Sequence, residues 1–153
     1  MPVRVLPGRV VMAADTSRTV PDRHGQPGEH VDFRLQLVTV PVSGVDRAKA
    51  FYVDQVGFLV QQDIEVDEDH RFVELVPPGS ACSIALTAGY ADAEPGSLRG
   101  VQLDVDDVRE AHAALRAGGV AVTDVEEHPW GSFCFFADPD GNGWSVHQPP
   151  RLG

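Results

Sequence analysis

At 153 residues, with 42% hydrophobic and 23% charged side chains, the chain holds enough apolar material for one domain with a buried core. It has no apolar run of the roughly 18 residues that a membrane-spanning helix needs, so no membrane partner is expected. A net charge of −11 and the lack of a basic stripe exclude nucleic acid.

Residues 1–32 contain several prolines and glycines and no sustained periodicity, so they read as a partly disordered tail; Val3, Val5 and Leu6 suit a short edge strand. This segment holds four arginines and four acids, so the acid excess belongs to the rest of the chain, where it suits a solvated surface and would attract a cationic ligand. The apolar run at Val10–Ala14 is too short for a secretory signal, and a cytoplasmic location is expected.

Leu35–Pro41 reads as a strand. Val45, Ala48, Phe51, Tyr52 and Val56 then lie on one face of a helix, with Ser43 placed to cap its start and Gly57 to stop it. Three strand-like runs follow, Phe58–Gln62, Arg71–Val76 and Cys82–Thr87. Asp63 to Asp69 carries five acids and reads as a solvated loop, without the glycine and spacing of a calcium site. A polar linker at 88–98 leads to a second strand, Gly100–Val105. A helix capped by Asp107 comes next, carrying Val108, Ala111 and Leu115 inward and ending at Gly118-Gly119. Strands at Val120–Val125, Ser132–Ala137 and Gly143–His147 complete the order, the last two joined by the Asp138-Pro139-Asp140-Gly141 turn.

The order βαβββ therefore occurs twice, at 33–90 and 98–149, with 150–153 as a C-terminal tail. Neither half has enough core to stand alone. The expected fold is α+β, with the two halves packed together. Cys82 and Cys134, widely separated in apolar runs, read as buried free thiols.

Two stretches, VPVSGVDRAKAFYVDQVGF (Val40–Phe58) and FFADPDGNGWSVHQ (Phe135–Gln148), together with the duplicated order, resemble the vicinal oxygen chelate superfamily. That superfamily includes glyoxalase I, bleomycin-resistance proteins, fosfomycin-resistance enzymes and extradiol dioxygenases. The resemblance covers roughly residues 33–149 and implies curled mixed sheets enclosing a cavity, with helices outside, and a homodimer. It also implies four inward metal-ligand positions, which fall on Leu37, Ala85, Gly100 and Ser145. None supplies the carboxylate, imidazole or thiolate that a divalent cation needs. No metal or other cofactor is expected.

Alternation along the strands puts Leu37, Thr39 and Pro41 on one face, and likewise Ala85 and Thr87, Gly100, Gln102 and Asp104, and Ser145 and His147; the resemblance implies that these faces look into the cavity. Val38, Val40, Val101, Leu103, Val105, Trp144 and Val146 would pack under the helices. Trp130, on the His128–Gly131 loop, is placed to stack on a planar ligand. Of Phe133, Phe135 and Phe136, at least two are expected in the core, as are Phe51 and Tyr52. The candidate ligand-binding set is thus Thr39, Thr87, Gln102, Asp104, Trp130, Ser145 and His147.

Two functional expectations follow. One is a metal-free protein that binds a small organic molecule, an antibiotic or secondary metabolite, by shape, stacking and hydrogen bonds. The other is a lyase or isomerase of the same fold, with His147 and Asp104 as acid and base or a metal at relocated ligands such as His147 and Glu74.

Overall fold

The computed structural model describes residues 4–5, 31–68, 70–88 and 93–151. Most of the segment read as an N-terminal tail, Asp69 of the acidic run, linker positions 89–92 and the last two residues lie outside the described residues. The strands are β1 Arg4–Val5, β2 Leu37–Pro41, β3 Leu59–Glu65, β4 Arg71–Val76, β5 Ser83–Thr87, β6 Val101–Asp104, β7 Glu126–His128, β8 Gly131–Ala137 and β9 Gly143–Gln148. The helices are α1 Val45–Ala50, continued by a π-helical segment Phe51–Val56, and α2 Val108–Ala117.

One sheet has the order β1-β3-β4-β5-β2 and the other β6-β9-β8-β7. In each, the first strand of the βαβββ unit pairs in parallel with its last, β2 with β5 and β6 with β9, and the remaining neighbours are antiparallel. The duplicated order is therefore present, but the sheets are open and do not close into barrels. Arg4–Val5 adds an edge strand to the first sheet, opposite Glu65 and Ile64.

Local chemistry explains most element ends. The Asp107 carboxylate accepts from the backbone N–H groups of Arg109 and Glu110 and caps α2. Gly57, at φ +99°, ends the first helix, where the N–H groups of Gly57 and Phe58 both donate to Tyr52 O. That wider turn brings the successive residues Phe51 and Tyr52 both into the core.

Three local expectations are corrected. Ser43 does not cap α1; Gly44 occupies that position without a side-chain bond. The Ser43 hydroxyl donates instead to Asp140 Oδ1 at 2.6 Å, where Arg47 also binds, so it joins the two units. The strand expected at 120–125 is reduced to a single bridge, Val122 to Phe136, and pairing resumes at Glu126–His128. The reason is that Val120 is drawn into the core at the end of α2, while Thr123 bonds Phe135 through its backbone and its hydroxyl. The acidic run is not all loop. Asp63 lies on β3, buried, and accepts from Lys49 Nζ at 2.6 Å and from Arg71 at 2.8 and 2.7 Å, which fastens β3 and β4 to α1. The Arg71 bonds are the largest influence holding this carboxyl below its ordinary range.

A single apolar core spans both units, running from Val40, Val73, Leu75 and Leu86 to Phe136, Trp144 and Val146. Side chains buried to this degree stabilise by about 1.5–3 kcal/mol each. At the junction Tyr52 stacks on Phe58 (centroids 5.6 Å apart) and meets Trp144 edge-on at 5.7 Å. Trp144 Nε1 donates to the Tyr52 oxygen at 2.9 Å, and the Tyr52 hydroxyl donates to Asp138 Oδ2 at 2.8 Å. Burial, reinforced by Asp138, pushes the phenol's pKa far up and keeps it a donor.

Tyr52→Phe would leave the buried Trp144 N–H without its acceptor. It is expected to cost about 1–3 kcal/mol in urea unfolding.

Candidate functional site on the exposed face of the second sheet

The site is built by alternation along β8. Cys134 and Phe136 point into the core, so Phe133 and Phe135 lie on the opposite face. Strand register extends that face sideways. Phe135 pairs with Ser145 and Ser145 with Gln102; Phe133 pairs with His147 and His147 with Asp104. On the other side Glu126 pairs with Phe133.

The result is an aromatic row standing on a rigid sheet. Trp130 is 64% exposed and lies parallel to His128, with centroids 4.7 Å apart and an interplanar angle of 7°. His128 meets Phe133 at 6.0 Å, and Phe133 lies parallel to Phe135 at 6.2 Å and 5°. Phe135 is 38% exposed, high for a phenylalanine inside a strand. This corrects the expectation for the phenylalanines: only Phe136 of the three belongs to the core.

Polar groups border the row. His147 Nδ1 is 2.8 Å from Asp104 Oδ1, and its Nε2 is 3.3 Å from the Trp130 carbonyl oxygen. Its ring packs on Phe133 with centroids 4.7 Å apart. The Asp104 carboxylate, with the Trp130 carbonyl adding to it, raises the imidazole pKa above its ordinary value, against an opposing effect of burial. Ser145 Oγ donates to Gln102 Oε1 at 3.4 Å, and Gln102 Nε2 donates to Asp104 Oδ1 at 3.5 Å.

Five of the seven residues expected to bind ligand, Gln102, Asp104, Trp130, Ser145 and His147, thus share one surface. Thr39 and Thr87 lie on the first sheet, and among the described residues no hydrogen bond joins them to this cluster. Thr39 is exposed, whereas the Thr87 hydroxyl is buried without a partner. Phe133, Phe135 and His128 were missed. Their signal was available: the period-two step from Cys134 and Phe136 assigns both phenylalanines to the face of Ser145 and His147.

The described residues form open clefts. A shallow cleft of about 270 Å³ opens beside Phe135 and Ser145, floored by Gly100 and Trp144. Another of about 290 Å³ lies between Val38 and Ile84 of one sheet and Val101 and Leu103 of the other. Both fall just short of the usual range of about 300–1,000 Å³ for ligand pockets.

The four positions that the resemblance assigns to metal ligands carry no carboxylate, imidazole or thiolate. Leu37 is partly exposed, Ala85 is buried against its neighbours, Gly100 has no side chain and Ser145 is engaged with Gln102. Among the described residues no three His, Cys, Asp or Glu side chains converge, so the relocated set with His147 and Glu74 is not assembled either. Glu74 is buried on β4 opposite Ala85, and burial raises its pKa. Burial also raises the pKa of both free cysteines, Cys82 and Cys134, which suppresses the thiolate.

The Glyoxalase/Bleomycin resistance protein/Dioxygenase superfamily model matches residues 34–146, and the chain belongs to that superfamily. Among solved structures it is similar to TnmS3, an antibiotic binding protein from Streptomyces sp. CB03234. The identity is 38%, over 80% of this chain and 100% of that one, with a TM-score of 0.73. A glyoxalase/bleomycin resistance protein from the same strain is 39% identical over 75% of this chain and 100% of its own, with a TM-score of 0.67. An uncharacterized protein of Shewanella frigidimarina (strain NCIMB 400) is 27% identical over 121 residues, 72% of this chain and 90% of that protein. No described helix is long and apolar enough to cross a membrane.

Removing a platform side chain should differ from removing a core one. Trp130→Ala is expected to change unfolding free energy by no more than about 0.5 kcal/mol. Phe136→Ala is expected to cost about 3–5 kcal/mol, both measured by urea denaturation.

Proposed function

We propose that the protein binds a flat aromatic organic molecule, an antibiotic or secondary metabolite, on the exposed face of β6–β9, and does so without a metal and without chemical conversion. The observation that carries this reading is the row Trp130–His128–Phe133–Phe135, partly open to solvent and bordered by hydrogen-bonding groups. Flat rings offset on aromatic faces contribute about 0.5–1.5 kcal/mol per pair beyond the area they bury. Residues fixed on strands lose little entropy when a ligand stacks on them. Similarity to TnmS3, an antibiotic binding protein, supports the same reading. The clefts of a single chain are small, and a homodimer would deepen the groove.

The acid–base alternative depends on His147 and Asp104, which do meet. The partners of the ring limit the role it could take. A carboxylate oxygen and a carbonyl oxygen are both acceptors, so His147 satisfies both only with a proton on each nitrogen. An imidazolium so held could donate a proton but not accept one, so the alternative would need Asp104 as its base.

The test is fluorescence titration with a panel of planar polycyclic aromatic antibiotics and non-aromatic controls of equal size, with mass spectrometry of the recovered ligand. Saturable binding of the planar members, recovered unchanged and weakened about tenfold or more by Trp130→Ala, is expected. Failure to bind any member, or conversion of one, would overturn the reading. Elemental mass spectrometry of the purified protein should find less than about a tenth of an equivalent of divalent metal, with no thermal stabilisation on adding more.

A further inference from the structure

We propose that His147 is a positioning residue: its doubly protonated ring clamps the β7–β8 turn and thereby presets Trp130 for stacking, so that losing one proton releases the turn. This role deepens the binding reading above and rests on it for its purpose, though the clamp itself is a property of the free protein.

Three features of the geometry carry the inference. The ring bridges three parts of the fold, since His147 stands on β9, its Nδ1 reaches Asp104 on β6, and its Nε2 reaches the backbone of Trp130 in the turn. Both contacts are to pure acceptors. A neutral ring must therefore aim a lone pair either at the carboxylate 2.8 Å away or at the carbonyl 3.3 Å away. The carboxylate contact is the shorter and is charge-assisted, so the proton stays there and the Trp130 carbonyl is the partner lost.

The third feature is Gly131, next to Trp130, at φ +139°. A Cβ there would stand 2.3 Å from His147 Nε2 and 2.7 Å from Gln148 O. The turn thus approaches the imidazole too closely for any side chain, and the residue at that position is the one that permits it.

The charged and titratable groups on this face are few. β6 supplies Asp104, β7 supplies Glu126 and His128, and β8 supplies the uncharged Phe133. His128 lies 3.5 Å from Glu126 and stacks on Trp130, so its own titration must be separated from that of His147. The sign follows from the raised pKa of His147. The clamp is complete below the ordinary imidazole value of about 6.5 and is lost as pH rises through the higher value of the folded protein.

The experiment is nuclear magnetic resonance on the 15N-labelled full chain without ligand. The His147 ring nitrogens and the Trp130 indole N–H, assigned with Trp130→Phe, are followed across pH. Both His147 nitrogens are expected to be protonated at pH about 6, and the Trp130 signal should shift with the same single-proton transition. His128→Phe should leave that transition in place. His147→Gln should abolish it, and Asp104→Asn should move it to lower pH, with circular dichroism confirming that each variant is folded. A bare His147 nitrogen at low pH, or a Trp130 signal indifferent to the His147 titration, would overturn the clamp. Because no ligand is present, that failure stays distinct from a failure of the binding panel.

Discussion

One buried carboxylate organises the molecule. Asp138, in the turn between β8 and β9, accepts from the Tyr52 hydroxyl (2.8 Å), the Asn142 side-chain amide (2.7 Å) and the backbone N–H groups of Asp140 and Asn142 (both 2.9 Å). A charge taken from water is tolerated only when hydrogen bonds of this number and quality replace its hydration. Asn142 then passes the constraint on. Its amide donates to Pro41 O at the end of β2, and its carbonyl accepts from Leu98 N just before β6. The turn of the second unit therefore grips the first strand of each unit at once, while Tyr52 and Trp144 fill the space behind it.

The exposed platform is a consequence of that junction. With Trp144 and Val146 held inward on β9, the intervening Ser145 and His147 must face outward. Ladder pairing then fixes Phe133, Phe135, Gln102 and Asp104 beside them. A surface built this way has its side chains spaced by the sheet, and Trp130 alone of the aromatic row sits in a turn.

Much of the fold was legible because its signals are local. The Asp107 cap, the Gly57 stop and the alternation of β6 and β9 each depend on residues a few positions apart. Errors arose where a distant partner outbid a local one. Ser43 suits a helix cap but bonds Asp140, 97 residues away. Asp63 sits in an acidic run that looks solvated, yet Lys49 and Arg71 draw it inside. Phe133 and Phe135 look like core by composition, and only their phase relative to Cys134 and Phe136 turns them outward.

By itself the sequence determined the two βαβββ units, the family to which they belong, and the side chains offered at each inward position, because periodicity and residue chemistry are written along the chain. The tertiary structure decided which of those side chains meet. Tyr52 and Asp138 are 86 residues apart, and Asp104 and His147 are 43 apart. Their contact depends on strand register and on the docking of one unit against the other. The carbonyl of Trp130, 3.3 Å from His147 Nε2, is backbone, and no residue type announces where a backbone oxygen will point.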